Sequence, residues 1–154
     1  SEKGVTSIIL ARSNRKPGRK TVPDQVSLGH GTSATLWNEA RTQLIEYLAG
    51  ERRAFSLPVD MSGGTPFQRL VWRAILRIPH GRVRSYQWVA ARVGGKQYAR
   101  AVGMALGSNP VPIVVPCHRI IAHDGSLGGF AGGLPMKRRL LKLEGTLSQL
   151  QNGK

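Results

Sequence analysis

The stretch that most limits how this chain can fold is residues 111–121, which read V-P-I-V-V-P-C-H-R-I-I. Pro112 and Pro116 remove backbone donors and restrict the conformation of the residues before them. A helix is therefore excluded here. The apolar run is predicted to be an extended or irregular buried segment.

Cys117, the single cysteine of the chain, lies in this run and is followed by His118 and Arg119. A lone cysteine is often no more than a small buried hydrophobe. Burying a histidine and an arginine beside it is costly unless both have partners, so the apolar frame favours a functional role. Either neighbour can favour the thiolate, which is the reactive form of cysteine. Because adjacent side chains of a strand point to opposite faces, His118 can serve Cys117 only across a turn or through a water.

The chain of 154 residues has 23 Lys and Arg against 8 Asp and Glu, a net charge of +15. This excess predicts a polyanionic partner, either nucleic acid or an anionic membrane surface. No apolar run approaches the roughly 18 residues of a membrane span, and no signal-peptide pattern opens the chain. A single cysteine excludes an internal disulfide framework and fits a reducing compartment. We therefore expect a cytoplasmic protein with no membrane association.

Residues 1–60 are predicted to form a small N-terminal α+β domain with a short antiparallel sheet. The predicted strands are residues 5–10, 22–28 and 55–59. Helical spacing of apolar residues predicts one helix over about residues 33–50. The basic stretch at residues 12–20 is either a solvated loop or an accessory arm that contacts phosphates. No residue of this unit shows recognisable chemistry.

Residues 61–154 are predicted to form a mostly helical C-terminal domain, so the fold class is α+β. One helix has a strong start, with Thr65 as N-cap, Pro66 at the first helical position and Gln68 completing a capping box. Pro135 starts the last helix of the domain.

Two short helices across a Gly-Gly turn predict a helix-turn-helix, the motif that presents its second helix to DNA. Ser85 caps the first helix, residues 86–93, and the second helix covers about residues 97–106. The second helix is rich in Ala and Gly, and Arg100 is its only charged residue. Small residues at this spacing favour either close packing on another helix or a slim helix that enters a groove. With one suitable side chain for base reading, affinity is predicted to come from phosphates and charge, with little sequence preference.

The run V-P-C-H-R-I-I, preceded by Asn109 and Pro110, resembles the active-site signature of the O6-alkylguanine-DNA alkyltransferases, also called methylated-DNA-protein-cysteine methyltransferases. Further matches are G-T-P-F-Q-x-x-V-W, A-R-A-V-G and G-G-F-A-G-G-L, so the resemblance covers roughly residues 64–145. It implies a DNA repair protein that flips O6-alkylguanine out of duplex DNA and transfers the alkyl group to Cys117. The transfer is irreversible and each molecule acts once. The implied protein is a monomer without cofactor or metal, located in the cytoplasm and on the nucleoid when bound to DNA.

The resemblance also implies a catalytic set of Cys117, His118, Glu144 and Asn109. Glu144 holds His118, His118 deprotonates a bridging water, and the water takes the proton from Cys117. Asn109 shapes the preceding turn and forms hydrogen bonds within the site.

The resemblance implies a second set of residues that bind DNA and the base. Arg100 fills the gap left by the rotated nucleotide, and Tyr86 assists the rotation and contacts the guanine. Phe130 forms a wall of the base pocket, where many relatives carry Tyr, so stacking is kept and the hydroxyl is lost. The predicted set is completed by Ala99, Gly103, Met104, Arg119 and Lys137.

Two rival functions are non-catalytic DNA-binding roles. An architectural DNA-binding protein would use the charge and the two-helix unit but leave Cys117 without a task. Alkyltransferase-like proteins sense lesions without repairing them and typically have Trp in place of the cysteine, so Cys117 argues against that role. A structural zinc site is not expected, because the histidines at positions 30, 80, 118 and 123 give no paired-ligand spacing with the one cysteine.

Overall fold

The structure is a computed structural model that describes residues 3–10 and 33–152, with side chains as far as residue 150. The basic stretch at residues 12–20 and the strand predicted at residues 22–28 lie outside the described residues.

The described residues form six α-helices and one two-stranded sheet. The helices are α1 (Ala34–Leu48), α2 (Pro66–Leu76), α3 (Tyr86–Val93), α4 (Ala99–Gly107), α5 (Leu134–Leu143) and α6 (Leu147–Asn152). The strands are β1 (Arg84–Ser85) and β2 (Ile120–Ile121), and 3-10 turns lie at Lys96–Tyr98 and Cys117–Arg119. None of these helices is both long and apolar enough to cross a membrane.

Side-chain caps fix the starts of two helices where the sequence predicted them. In the capping box of α2, the Thr65 hydroxyl accepts from the Gln68 N–H at 3.2 Å, and the Gln68 side chain accepts from the Thr65 N–H at 2.9 Å. At the start of α3, the Ser85 hydroxyl accepts from the Trp88 N–H at 3.1 Å. Caps of this kind satisfy donors that a helix leaves unpaired at its N-terminus. Both predicted starts are confirmed.

The predicted helix-turn-helix is formed by α3 and α4. Gly94 and Gly95 join them with φ values of 158° and 140°, which residues with a side chain rarely adopt. A Cβ at Gly94 would lie 3.0 Å from the ring of Tyr98. The 3-10 turn at Lys96–Tyr98 follows, so α4 begins at Ala99, slightly later than predicted.

The sheet of the described residues corrects the predicted antiparallel one. Strands β1 and β2 are parallel, and both lie in the C-terminal half. Near the N-terminus, Val5 forms a single bridge with Val59, and this bridge is also parallel. The direction has a physical reason, because the connection from Val5 to Val59 contains α1, and a helical crossover returns the chain in the same direction. The strand predicted at residues 55–59 is reduced to this bridge, and Pro58 in it has no N–H to donate.

One hydrophobic core joins the helices. Helices α2, α3 and α4 pack on one another, and the Trp72 indole N–H of α2 donates to the Ala105 carbonyl of α4 at 2.8 Å. Leu44 and Tyr47 of α1 and Leu140 of α5 belong to the same core. The core therefore links the first sixty residues to the helices that surround Cys117. Helix α6 was not predicted.

Candidate active site

The segment at residues 111–121 is irregular and fully buried, as predicted. Turn-like bonds shape it: the Val115 N–H donates to the Val111 carbonyl at 2.9 Å, and the Cys117 N–H donates to the Val115 carbonyl at 2.8 Å. Ile113 has a φ of 74°, a conformation that is strained for a β-branched residue. Cys117 then opens the 3-10 turn Cys117–Arg119. A turn, and not a strand, thus carries the Cys-His-Arg sequence.

Asn109 holds the turn before Cys117. Its side-chain amide donates to the Val115 carbonyl at 2.9 Å, and its side-chain oxygen accepts from the Val111 N–H at 3.0 Å. The same side chain is close enough to Cys117 to lower the pKa of the thiol by hydrogen bonding. This placement agrees with the role predicted for Asn109.

Cys117 lies at a cavity of about 570 Å³. The cavity walls come from α3, from α4 and from the segment at residues 128–133 before α5, here called the glycine-rich loop. The lining residues are Tyr86, Ala99, Arg100, Gly103, Leu106, Gly107, Cys117, Gly128, Gly129, Phe130 and Ala131. A volume of this size is within the range of small-ligand pockets, and it is sufficient for a single nucleobase.

The structure places most predicted DNA- and base-binding residues around this cavity. Tyr86, Ala99, Arg100, Gly103 and Phe130 all line it. Met104 does not, but it is 71% exposed on the outer face of α4, one turn after Arg100.

The small residues of α4 lie on two different faces of the helix. Val102 and Ala105 are buried against the neighbouring helices, whereas Ala99, Gly103 and Gly107 face the cavity.

Tyr86 stands against the glycine-rich loop. A Cβ at Gly128 would lie 2.6 Å from the Tyr86 hydroxyl oxygen and 2.9 Å from its ring, and Gly128 has a φ of 67°. On the other side, a Cβ at Gly103 would be in ordinary contact with the ring at 3.8 Å. Gly128 therefore allows the tyrosine to lie at the cavity wall.

Burial dominates the ionisation of Cys117. Its side chain is 6% exposed, and this burial raises the pKa of the thiol. The hydrogen bond from Asn109, the positive charge of Lys137 and the backbone N–H groups of Cys117 and His118 oppose the rise. The resting side chain is a neutral thiol. The side chains of His118 and Arg119 do not bond to the resting sulfur, because both point into an ion cluster with another partner.

That partner is the carboxylate of Glu144, which follows α5. Oε1 of Glu144 lies 2.8 Å from Nε2 of His118, and it accepts from the Tyr47 hydroxyl at 2.7 Å. Arg119 donates to the same carboxylate through Nε at 3.0 Å and Nη2 at 2.8 Å. All four side chains are buried. The predicted pairing of Glu144 with His118 is present.

The pKa values of this cluster favour an ionised Glu144 and a neutral His118. Burial alone would raise the pKa of Glu144, but hydrogen bonds from His118 and Arg119 and the charge of Arg119 outweigh it and hold the pKa far below its usual range. Burial lowers the pKa of His118 despite the nearby carboxylate. Since Nε2 faces Glu144, the neutral ring carries its hydrogen there. Nδ1 is then an acceptor, and it has no hydrogen-bond partner among the described residues.

Lys137 holds the glycine-rich loop from inside. Its ammonium donates to the carbonyls of Ile120 at 2.5 Å, of Gly129 at 3.2 Å, and of Leu127. Burial lowers the pKa of Lys137 to about 8, and the nearby Cys117 opposes this shift. The ammonium fixes one wall of the cavity and supplies a positive charge close to the sulfur.

Arg119 and Lys137, both predicted to bind DNA or the base, use their donors inside the protein. The Arg119 guanidinium is buried, and it donates to Glu144 and to the Ile78 carbonyl at 2.5 Å. The Lys137 side chain is buried as well, with all three donors directed at carbonyls. Buried cations need such partners. Both residues thus support the site from within, and their contact with DNA or the base stays a prediction.

Sequence reasoning missed Tyr47, the fourth member of the ion cluster. It lies on the buried face of α1, within the helix that the apolar spacing predicted. A buried tyrosine hydroxyl needs a partner, and this is the signal that the sequence offered. The sequence did not identify the partner, which lies 97 positions away.

Among the residues that the structure describes, no three His, Cys, Asp or Glu side chains are grouped as metal ligands.

Fold and site together define a mostly helical class of protein in which a helix-turn-helix borders a cavity with a buried cysteine at its wall. The family model described as the DNA binding domain of 6-O-methylguanine DNA methyltransferase matches residues 66–146. The chain belongs to this family.

Similar proteins cover most of the described chain. A methylated-DNA–protein-cysteine methyltransferase of Mycobacterium tuberculosis is 50% identical over 102 residues, which are 66% of this chain and 61% of the relative. The constitutive one of Bacillus subtilis is 51% identical over 107 residues, 69% of this chain and 64% of the relative. The crystal structure of Mycobacterium tuberculosis OGT in complex with DNA is similar with a TM-score of 0.68 and 47% identity, covering 73% of this chain and 68% of that one. The chain thus spans about three fifths of the length of these two curated relatives.

Proposed function

We propose that this protein repairs DNA by rotating O6-alkylguanine out of the duplex and transferring the alkyl group to the sulfur of Cys117. The observation that carries the proposal is the position of Cys117 at the wall of a base-sized cavity, with His118 and Glu144 behind it. The family of the chain and the relative solved with DNA support the same activity. By its reaction the protein is a single-turnover methylated-DNA–protein-cysteine S-methyltransferase.

Double-stranded DNA is the proposed partner. The net charge of +15 supplies attraction to phosphates. The O6 atom of a stacked guanine is out of reach for a buried sulfur, so the nucleotide must leave the stack at a cost of about a few kcal/mol. Arg100 is exposed at the cavity rim, where it can fill the space left in the duplex. Tyr86 and Phe130 line the cavity that receives the base.

The chemistry begins with removal of the proton from Cys117. His118 is neutral, with Nδ1 as the acceptor, and it takes the proton through a bridging water while Glu144 stabilises the imidazolium that forms. Asn109 and the ammonium of Lys137 stabilise the thiolate.

Transfer follows by in-line displacement. The sulfur forms a bond to the alkyl carbon as the bond from that carbon to O6 breaks. The guanine takes up the proton that His118 received, passed back through water, and stays in the DNA as the neutral base. A thioether is a poor leaving group, so the modified cysteine is not restored and each molecule reacts once. The proposed reaction needs no cofactor.

We also propose a domain division and a cellular location that fit this function. The division lies near residue 61, with an N-terminal domain at residues 1–60 and a DNA-binding, alkyl-transfer domain at residues 61–154. The family match at residues 66–146 supports this boundary. The protein acts as a monomer in the cytoplasm and on the nucleoid, in keeping with its positive charge and single reduced cysteine.

Mass spectrometry after incubation with an O6-methylguanine duplex tests the proposal. We expect one added methyl group, located on Cys117, with unmodified guanine left in the DNA. Cys117→Ala is the matched variant, and it should bind the duplex as tightly as the unmodified protein and acquire no methyl group. An absence of adduct at equimolar lesion, with DNA binding intact, would instead support a protein that only senses lesions.

A further inference from the structure

Tyr47 is the one member of the ion cluster that comes from outside the region matched by the family model. It lies in α1, whereas the match begins at residue 66. Its side chain is fully buried, and its hydroxyl donates to Oε1 of Glu144 at 2.7 Å. The same hydroxyl lies 3.4 Å from Nε2 of His118. The tyrosine therefore touches both groups of the proposed proton relay behind Cys117.

The ring of Tyr47 is held so that the hydroxyl cannot easily turn away. Phe55 packs against it with ring centroids 5.3 Å apart, and His80 meets it edge-on at 6.2 Å. Burial and the charge of Glu144 raise the pKa of Tyr47 well above its usual value, so the hydroxyl keeps its hydrogen. That single hydrogen has two possible acceptors, Glu144 and His118, and the shorter distance is to Glu144.

We propose that Tyr47 is a positioning residue for alkyl transfer, whose hydroxyl orients Glu144 against His118 and limits how tightly the carboxylate holds a protonated imidazole. This inference rests on the function proposed above.

The hydrogen on Nε2 of His118 follows from the carboxylate itself, because a lone pair on Nε2 would be repelled by Oε1 of Glu144 at 2.8 Å. Nδ1 is therefore left as the base with or without Tyr47. The hydroxyl adds a second donor to the same oxygen at 2.7 Å, which holds the carboxylate in place and takes part of its negative charge.

Tyr47 also tunes how strongly Glu144 stabilises a protonated His118. The titratable and charged groups around the imidazole are Glu144, Arg119, Lys137, Tyr47 and Cys117. A donor to Glu144 shares its negative charge and so weakens its hold on an imidazolium. Without the Tyr47 hydroxyl the carboxylate is more basic, and His118 becomes protonated at a higher pH. Only the neutral ring can act as base. The acid limb, which is the fall of the transfer rate at low pH, therefore moves to higher pH.

Tyr47→Phe removes the hydroxyl and keeps the packing of the ring. We expect transfer from an O6-methylguanine duplex to slow by about tenfold near neutral pH. This loss is a part of the roughly 10²–10⁴-fold rate enhancement that a positioned base supplies. The acid limb of the rate against pH should shift upward, while DNA affinity stays unchanged. In ¹⁵N NMR of the histidines, His118 should be the Nε2–H tautomer in both proteins, and its ring should become protonated at a higher pH in the variant.

Phe55→Leu is the matched control, because it loosens the packing of the Tyr47 ring and leaves the hydroxyl in place. It should lower the free energy of unfolding without moving the acid limb. A Tyr47→Phe protein in which the acid limb is unshifted and His118 becomes protonated at the same pH overturns the inference, whether its rate falls or not. An unmodified protein that forms no adduct on Cys117 overturns the proposed function, and this inference with it.

Discussion

At Glu144, side chains from separate parts of the chain meet on one carboxylate: Tyr47 from α1, and His118 and Arg119 from the turn that holds Cys117. A buried ion pair of this kind contributes little over a well-packed apolar replacement, but losing one partner leaves an uncompensated charge. The carboxylate is thus needed for folding as well as for the orientation of His118.

Glu144→Gln should lower the free energy of unfolding by about 3–5 kcal/mol, because Arg119 then stays buried without a counter-charge. Urea denaturation measures the change. Glu46→Gln is the matched control, since Glu46 pairs with Arg52 at the surface, and its loss should be below about 1 kcal/mol. Equal losses in the two variants would contradict the importance of the buried cluster.

The same cluster predicts a loss of stability in acid. The folded-state pKa values of His118 and Glu144 lie below the ordinary 6.5 and 4.5. The unfolded chain therefore binds more protons than the folded one at low pH, and the free energy of unfolding must fall as the pH decreases. The contribution of His118 is fully present above its unfolded value and declines below it, and that of Glu144 declines below 4.5. Urea denaturation between about pH 7 and about pH 4 should show this decline, and a flat profile would contradict it.

Gly128→Ala should slow alkyl transfer by displacing Tyr86 from the cavity wall. The new Cβ would lie 2.6 Å from the tyrosine hydroxyl, and the φ of 67° adds strain. A cost of about 1–3 kcal/mol in reaching the working geometry corresponds to roughly fivefold to a hundredfold in rate. Gly129→Ala is the neighbouring control, because its Cβ would meet no atom within 4 Å. Single-turnover rates should separate the two variants, and equal rates would show that Tyr86 tolerates the displacement.

At the scale of the secondary-structure elements, α4 has one face in the core and one at the cavity. Arg100 and Met104 stand one turn apart on its exposed side. A helix with a single cation on that side suits the filling of a gap in a duplex better than the reading of base edges.

Arg100→Ala should slow transfer from a duplex by at least about tenfold, since unstacking costs a few kcal/mol that the variant no longer offsets. Transfer from a single-stranded oligonucleotide with the same lesion should change little, because no base has to be extruded from a duplex. Arg73→Ala, at an exposed position of α2, is the control and should leave both rates unchanged. A similar slowing on both substrates would assign Arg100 a role other than flipping.

Thr65→Ala tests the capping box that starts α2. Loss of the hydroxyl should cost about 1 kcal/mol, measured by urea denaturation. The exposed Thr35 of α1 provides a control, and Thr35→Ala should leave the stability within about 0.5 kcal/mol. A loss no larger than that of the control would show that the cap adds nothing.

The sequence predicted those features of the elements that depend on nearby residues. The starts of α2 and α3 follow from Thr65 and Ser85, whose caps act over three positions. The exclusion of a helix at residues 111–121 follows from two prolines. The irregular turn at Cys117 could be anticipated for the same reason.

Features that join distant residues were not predicted from local patterns. The parallel bridge of Val5 with Val59 depends on where α1 returns the chain, and the burial of Arg119 depends on the position of Glu144. The pairing of His118 with Glu144 came only from the family resemblance, as did the assignment of Arg119 to the DNA-binding residues. The hydrogen bonds of Asn109, in contrast, reach residues within six positions.

At the scale of the whole molecule, the charge predicts how DNA binding responds to salt. Each neutralised phosphate lowers the logarithm of affinity by about 0.9 per tenfold rise in salt. With few base contacts, two unrelated duplexes should bind with affinities within about tenfold, and both should lose at least about tenfold between 50 and 200 mM salt. Fluorescence anisotropy measures this, and a shallow slope or a strong sequence preference would contradict it.

Tyr47, His118 and Arg119 all bond to the one carboxylate of Glu144, so damage there affects folding as well as chemistry. Chemical damage or a mutation that stops Glu144 from orienting His118 also weakens the core contacts between α1 and α5. Cells remove partly unfolded chains continuously, and a loss of one or two kcal/mol already lowers abundance several-fold. We therefore expect such defective copies to be cleared, so that they do not persist on the genome and shield a lesion from a competent molecule.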